Sequence, residues 1–448
     1  MEEPVAGIDH TDQGGMRSDS ISSKYVIETG RNKSQNIWHR LRSDSKRTYE
    51  MAERFDALFA GISEEVAINQ VNTPASKLKN PVSKYMAATR LGACHSEESL
   101  IALIACLDLQ LDDLYERITR RKAIEALGRR RDQRVVPHLI KCLNGADEIA
   151  IIDAVDAIIK IGSDLTPEQS KCLANALDGS DNRKRVIIQA CTRLGLSNAV
   201  DDIRNLIDHE NPLVSGAARS YFASRYGETQ LLKQLVQQLK SDAPGQRRAA
   251  VIDLGDSGDR QQLNSLIECP VSMPLRAKSV LQLVPELETD QENSEERQLF
   301  KKLLVDNPNN LTLKQEHHCP DSAEAIENFL QHRDEAKQYG AAKRLLTRER
   351  GSAIQIISNL HKKLGSDYVI HYYLTLCVSL MELKEHEELI TGSLHETIPQ
   401  YTKSRVAATW GCLRLQLRSQ MNFLTELNKS ARWVPLKWSC RRVVEELS

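Results

Sequence analysis

The densest set of charged side chains lies in the stretch YERITRRKAIEALGRRRDQRVVPHLIKCLNGADEIAIIDAVDAIIKIG, which begins at Tyr115 and ends at Gly162. Arg120 and Arg121 form one arginine set, Arg129, Arg130 and Arg131 with Arg134 form a second, and Asp153 and Asp156 follow three residues apart. A guanidinium fork offers two parallel N–H bonds, which match the two oxygens of a carboxylate or phosphate. Two aspartates at that spacing share one face of a helix, where they can accept N–H bonds or hold a proton. The plainer alternative is structural. Arginines at turns tie down helix carboxyl ends, and aspartates favour the positive amino end of a helix.

A second constellation is His317-His318-Cys319-Pro320, two imidazoles beside a thiol. Histidine titrates near neutrality and ionises a neighbouring thiol, so His318 and Cys319 are candidates for proton transfer; an exposed turn without a role is the alternative. His209-Glu210 resembles half of a His-Glu iron site, but His386-Glu387 and His395-Glu396 lie outside its repeat spacing, so no metal is expected. No Walker loop or dinucleotide fingerprint is present, and no cofactor of those classes is expected.

The elements that must position these residues are helices. An apolar residue followed by glycine recurs at Leu91-Gly92, Leu127-Gly128, Ile161-Gly162, Leu194-Gly195, Tyr226-Gly227 and Leu254-Gly255, roughly 28 to 36 residues apart. Each glycine can end its helix in a left-handed conformation, and a second apolar-periodic segment follows, such as SLIALIACL or VVPHLIKCL. Five residues ahead of most of these glycines stands an alanine, at Ala87, Ala123, Ala157, Ala190 and Ala250, where a small side chain lets helices approach; Phe222 breaks the series. NPLVSGAARSY opens a unit with a turn residue and proline, as helical repeats commonly do. The expected fold is all-α, a HEAT-like helical-repeat solenoid that displays both charged sets on its concave side.

Residues 1–50 are polar and without periodicity, and read as a disordered extension. The repeat array is placed at 51–285, opened by capping helices over Glu53–Phe59 and Glu64–Val71. The acidic run ELETDQENSEE then leads into a helical region at 286–448 without the glycine period. Near its end, Trp433, Trp438 and Cys440 stand beside Arg441 and Arg442 in the highest local density of aromatic and basic groups in the chain, with the Cys440 thiol expected to be buried.

Lys and Arg number 60 against 61 Asp and Glu, so no global field draws the chain to nucleic acid. No apolar run reaches the roughly 20 residues of a membrane span, and the polar start MEEPVAGIDHTDQGG differs from a secretory signal, so a cytoplasmic protein is expected. Cys106, Cys142, Cys172 and Cys191 fall in apolar helical patterns and read as reduced core residues.

The stretches YERITRRKAIEALGRRRD, DEIAIIDAVDAI, NPLVSGAARSYFASRYG and WVPLKWSCRRVVEEL together resemble the E/F clan of phycobilin lyases of cyanobacteria. Within the clan, the phycoerythrobilin lyases and lyase-isomerases that act on phycoerythrin α subunits are most similar, and the resemblance runs from about Phe55 to the C-terminus. It implies a bilin, here phycoerythrobilin, as substrate, and a cysteine of the phycoerythrin α subunit as acceptor. A second lyase or chaperone subunit is a further partner the clan implies. On this resemblance Tyr115, Arg120, Arg121, Arg130 and Arg131 would bind the bilin, the arginines through its propionates. Asp153 and Asp156 would hydrogen-bond the pyrrole nitrogens and favour their protonated form. One branch of the clan isomerises the pigment with an NHCQGN motif, which His318-Cys319 in EHHCPDS matches only in its His-Cys pair. A scaffold that binds phycobiliprotein subunits without making the bond is the rival reading.

Overall fold

The structure is a computed structural model that describes residues 59, 61–109, 112–162 and 164–448. The expected extension at 1–50, and all but Phe59 of the helix expected over Glu53–Phe59, lie outside the described residues. Among the described residues there are 23 α-helices and no strand. The first group comprises α1 (Glu64–Asn72), α2 (Val82–Leu91), α3 (Glu97–Ala105), α4 (Leu114–Arg130), α5 (Val136–Cys142), α6 (Glu148–Ile161) and α7 (Pro167–Asn175). It continues with α8 (Asp181–Leu194), α9 (Val200–Arg204), α10 (Pro212–Tyr226), α11 (Leu232–Gln238), α12 (Pro244–Ser257), α13 (Leu263–Glu268) and α14 (Met273–Leu283). Beyond lie α15 (Ser294–Val305), α16 (Ala323–Leu330), α17 (Glu335–Leu346), α18 (Arg350–Leu364) and α19 (Tyr368–Met381). The last four are α20 (Glu387–His395), α21 (Thr402–Arg414), α22 (Met421–Ser430) and α23 (Val434–Leu447).

The even-numbered helices from α2 to α14 pack each on the next and form one layer of a solenoid. The shorter odd-numbered helices from α3 to α13 cover its other side. Beyond α15 the pattern resumes, with α17, α19, α21 and α23 in one layer and α16, α18, α20 and α22 behind them. The layering follows from the sequence: Asp113, Asp147, Ser180 and Asn211 each cap a long helix by accepting backbone N–H bonds, and Ala87, Ala123, Ala157, Ala190 and Ala250 are all fully buried between layers. The buried apolar side chains gather in two clusters, one running from Ala67 to Phe222 and the other from Ala223 to Leu447.

The repeat glycines divide into two kinds. Gly162, Gly195 and Gly227 end α6, α8 and α10 at φ of 70°, 72° and 73°, the left-handed region that a Cβ disfavours. Gly128 and Gly255 do not cap. They sit inside α4 and α12, whose left-handed residues come three positions later, at Arg131 (φ 54°) and Gly258 (φ 75°). Gly92, the first of the series, is right-handed at φ −62°. The interior pair serves close packing: a Cβ at Gly128 would stand 2.8 Å from both Cα and Cβ of Ala157, and one at Gly255 would stand 2.7 Å from Cβ of Ser279. Gly128→Ala is therefore expected to force α4 and α6 apart at a cost of about 1–3 kcal/mol. A thermal melt of the variant checks it, and an unchanged midpoint would show that the helices can slide at no cost.

Contacts between next-nearest helices reveal which layer is concave. Arg185 of α8 reaches over α10 to Asp253 of α12 through bonds of 2.7 and 2.9 Å. Further along the same pair of helices, Arg193 meets Asp256 at 2.8 and 3.0 Å. Helices that have a third between them can meet only on the inside of a curve. The middle helix allows the approach because it is small there: a Cβ on Gly216 would stand 2.9 Å from the Asp253 carboxylate, and Ser220 Oγ donates to the Asp253 carbonyl at 2.6 Å.

Candidate functional site

The concave side of the even-numbered layer collects charge from four helices. On α6, Asp156 is ion-paired with Lys160 one turn on. On α8 and α12, the Arg193–Asp256 pair crosses the floor, and Gln282 of α14 donates to Asp256 at 3.2 Å. Lys278 stands one turn before Gln282 and makes no hydrogen bond or ion pair with any of the described residues. It is exposed to solvent, yet the groove walls displace enough water to lower its pKa; the Arg193 cation acts in the same direction, while Asp256 and Asp156 oppose it.

Asp153 lies one turn before Asp156 on α6, facing the Lys122–Glu125 pair of α4. Its carboxylate is half-buried and, like Lys278, has no hydrogen-bond or ion-pair partner among the described residues. Burial lifts its pKa to about 6 and the Glu125 charge adds to the lift, against the pull of Lys122 and Arg121. The groove thus presents an unpaired carboxylate and an unpaired ammonium within a field of otherwise neutralised charges. An uncompensated charge in such a place is costly, and a ligand that carries the opposite charge relieves the cost.

The arginines expected to share this face disperse. Consecutive helical residues point about 100° apart, so Arg120 and Arg121 cannot face the same way. Arg120 is buried against the outer layer, where its Nε donates to the Leu107 carbonyl at 2.8 Å. Arg121 forks onto Asp147, the cap of α6, at 2.6 and 3.0 Å, and is the member of the set whose charge reaches Asp153. Arg130 turns to the end of α2 and the start of α3, bonding Ser99 Oγ at 2.7 Å and the Ser96 carbonyl at 2.9 Å. Arg131 takes the left-handed conformation that ends α4. Tyr115 is half-buried in the first turn of α4, and its carbonyl accepts from Thr119 Oγ1 at 2.7 Å. Of the residues anticipated, the structure therefore gathers Asp153, Asp156 and the charge of Arg121, and turns Arg120 and Arg130 to structural bonds.

His318 and Cys319 part company. EHHCPDS is an exposed segment with two residues turned inward: His317 and Cys319 are 3 % and 2 % accessible, while Glu316, His318, Pro320, Asp321 and Ser322 are exposed. Gly340 of α17 presses so closely on this segment that it leaves no room for a Cβ beside the His317 carbonyl. The backbone at His318 is extended, so neighbouring side chains point to opposite sides; the imidazole is exposed, while the buried Cys319 thiol donates to the Pro320 carbonyl at 3.4 Å. Burial pushes that thiol up to about 11. His209 has a structural role, accepting from the Asn211 N–H at 3.1 Å at the start of α10.

The aromatic and basic cluster near the C-terminus is a fastening. Trp438 packs edge-on against Phe300 of α15 with ring centroids 5.1 Å apart, Arg441 pairs with Asp290 at 2.6 Å, and Arg442 pairs with Asp290 and, at 3.2 Å, with Glu292. The acidic run read as a junction is thus the counter-charge of the last helix. All ten cysteines are free and all but Cys172 are buried, Cys440 fully so with its thiol raised to about 12.

Lys160, Arg193, Asp256 and Lys278 were not singled out from the sequence. A signal existed for three of them: Lys160, Arg193 and Asp256 each stand two residues ahead of a left-handed glycine, at Gly162, Gly195 and Gly258, which sets them in register on one face. Lys278 carried none, since α14 ends at Val284 without a glycine.

Among the described residues, no helix is long and apolar enough to cross a membrane, and no group of three or more His, Cys, Asp or Glu is placed to hold a metal. Residues 119–145 match the model of the PBS lyase HEAT-like repeat, covering α4 from Thr119 onward and all of α5. Over 363 residues the chain is 28% identical to an uncharacterized phycocyanin operon protein Y from Pseudanabaena tenuis (strain PCC 7409), spanning 80% of this chain and 86% of that one. Bilin biosynthesis protein CpeY of Synechococcus sp. (strain WH8020) is 24% identical over 372 residues, again 80% and 86% of the two chains. Among solved structures, the CpcE–CpcF complex of phycocyanin lyase from Nostoc sp. PCC7120 aligns at a TM-score of 0.46 and 22% identity, covering 54% of this chain and 93% of that one. In its repeat and along four-fifths of its length, the chain is similar to the E/F-type phycobilin lyases.

Proposed function

We propose that this chain is a bilin lyase whose concave groove holds phycoerythrobilin and presents it to a cysteine of a phycoerythrin α subunit, to which it becomes joined by a thioether. The observation that carries the reading is the similarity, over 80% of the chain, to a bilin biosynthesis protein. The groove supplies chemistry that suits it: Lys278, with Lys160 and Arg193 nearby, faces the propionates of the tetrapyrrole, and Asp153 with Asp156 faces its pyrrole N–H groups. In the reaction the acceptor thiolate attacks the ring A ethylidene. The C–S bond forms, the π pair moves into the conjugated system, and the proton lost by the thiol is recovered there. A carboxylate beside the pyrrole nitrogens favours their protonated form and so makes the ethylidene a better electrophile. The acceptor brings the nucleophile, so the lyase needs none of its own; its task is to fix orientation, which also sets stereochemistry.

Co-expression with a phycoerythrin α subunit in cells that make phycoerythrobilin tests the reading. A covalent phycoerythrobilin absorption band on the denatured subunit supports a simple lyase, and a blue-shifted phycourobilin band supports a lyase-isomerase. A subunit that stays unpigmented with bilin and client both present defeats the reading of a lyase that acts alone and favours a scaffold or a missing partner chain. With purified chain, Lys278→Met is expected to weaken phycoerythrobilin binding about 10–100-fold, the loss of one charge-assisted hydrogen bond in a partly desolvated site. Equal affinity in a fluorescence titration would remove Lys278 from the site.

A further inference from the structure

The charges of Asp156 and Lys160 on α6 bear on Lys278 of α14, although α8, α10 and α12 stand between those helices in the layer. Such influence fades beyond about 10 Å at about 0.1 M salt, so α6 and α14 face one another across the groove. The width of the groove is thus the separation of two helices that are not neighbours in the layer, and the helices between them must set it.

Arg185 of α8 is placed to do so. Its guanidinium forks onto Asp253 of α12 at 2.7 and 2.9 Å and donates also to the Leu213 carbonyl in the first turn of α10. Three consecutive helices of the layer are tied at one point. Asp253 is 1 % accessible and accepts a further bond from Gln189 of α8 at 3.3 Å. Packing leaves room between the starts of α10 and α12, where a cleft of about 520 Å³ is lined by Pro212, Leu213, Gly245 and Gln246. The angle between those two helices is therefore not fixed by side-chain packing at that end. A buried ion pair adds little net stability over an apolar pair of the same size, because desolvation offsets the attraction. An arginine fork on a carboxylate nevertheless accepts few geometries, and that restriction is what a curved array can use.

We propose that the Arg185–Asp253 pair is a clasp that sets the width of the groove, holding the layer in the curl that brings α6 opposite α14. Arg193 and Asp256 lie on the groove floor, where Gln282 of α14 joins them. Arg185 stands about two turns from Arg193, toward the start of α8, and acts on the groove by shaping the array. The clasp concerns the chain without pigment and does not rest on the bilin reading.

The test is a distance measurement by pulsed dipolar spectroscopy on the full chain. Nitroxides are attached through a keto amino acid at Ile149, in the first turn of α6, and at Ser272, which precedes α14; the first is exposed and the second partly so. This attachment leaves the ten cysteines untouched. The double variant Arg185→Met with Asp253→Asn buries no unpaired charge and keeps an acceptor for Gln189. Its label-to-label distance is expected to lengthen by about 4–5 Å, half the axial separation of two packed helices. Arg185→Lys keeps a cation opposite Asp253 and is expected to keep the parental distance. A folded double variant with the parental distance overturns the proposal. So does an Arg185→Lys variant that lengthens as far as the double variant, because the ion pair would then not be what holds the curl. If the double variant does not fold, Asp253→Asn alone, in which Arg185 retains the Leu213 and Ala249 carbonyls, is read against the same two outcomes.

Discussion

Asp306→Ala is expected to lower the unfolding free energy by about 3–5 kcal/mol, the usual consequence of removing one partner of a buried ion pair. Asp306 and Arg276 are 2 % and 1 % accessible, and their pair joins the end of α15 to α14. The carboxylate also accepts from Tyr339 of α17 and Tyr372 of α19, so four helices meet on it. Arg276 spends its remaining donors on the carbonyls of Val271 at 2.7 Å and Ile267 at 2.5 Å and on the Tyr339 hydroxyl at 3.0 Å, none of which carries a full charge. Without the carboxylate, a buried guanidinium loses its charged partner and the Tyr339 and Tyr372 hydroxyls lose their shared acceptor. Chemical denaturation reads the loss as a lower midpoint with an unchanged slope. The double variant Arg276→Met with Asp306→Leu should recover part of it, because it removes the unpaired buried cation but leaves the Tyr339 and Tyr372 hydroxyls without the carboxylate. A loss below about 1 kcal/mol in the single variant would mean that the backbone carbonyls alone satisfy Arg276.

The solenoid was legible because alanine and glycine recur where helices approach or end, and those demands are local. The frame itself was less legible. Read as a cap, Gly255 places the end of α12 three residues early, whereas Gly258 carries the left-handed turn. With the corrected frame, Asp256 falls in register with Arg193 and Lys160, and the floor of the groove becomes visible along the chain. The arginines misled for the opposite reason. Their clustering in sequence is real, but a helix turns neighbours to different faces, and Arg120 and Arg130 found carbonyls of the outer layer and the inter-helix turn before any ligand. No local pattern reports that Arg185 passes over α10 to reach Asp253, 68 residues away, since that contact exists only once the array has curved.

Asp153→Asn is expected to make the chain more stable at neutral pH and less active, a combination that separates a ligand-facing acid from a structural one. The folded chain holds the Asp153 pKa at about 6, above the ordinary aspartate value of about 3.9. For a group raised in this way the native state binds the proton more tightly than the unfolded state. Its stabilising contribution is complete below about pH 4 and is lost as pH rises through about 6. At pH 7 to 8 the carboxylate is therefore a cost to the empty protein, and an amide of the same shape removes that cost. The melting temperature of the variant should exceed that of the parent at pH 7.5, and the difference should shrink on acidification. Pigment transfer should fall about 10²–10³-fold, the range found when a preorganised electrostatic partner is deleted from a reacting site. The pH dependence follows from the same group. A carboxylate that pairs with protonated pyrrole nitrogens acts only when ionised, so transfer by the parent should decline below about pH 6, and the residual transfer of the variant should show no such step. Were the variant to melt lower and transfer normally, Asp153 would be a buried acid serving α4 and α6, and the groove chemistry would have to be reassigned to Asp156 and Lys278.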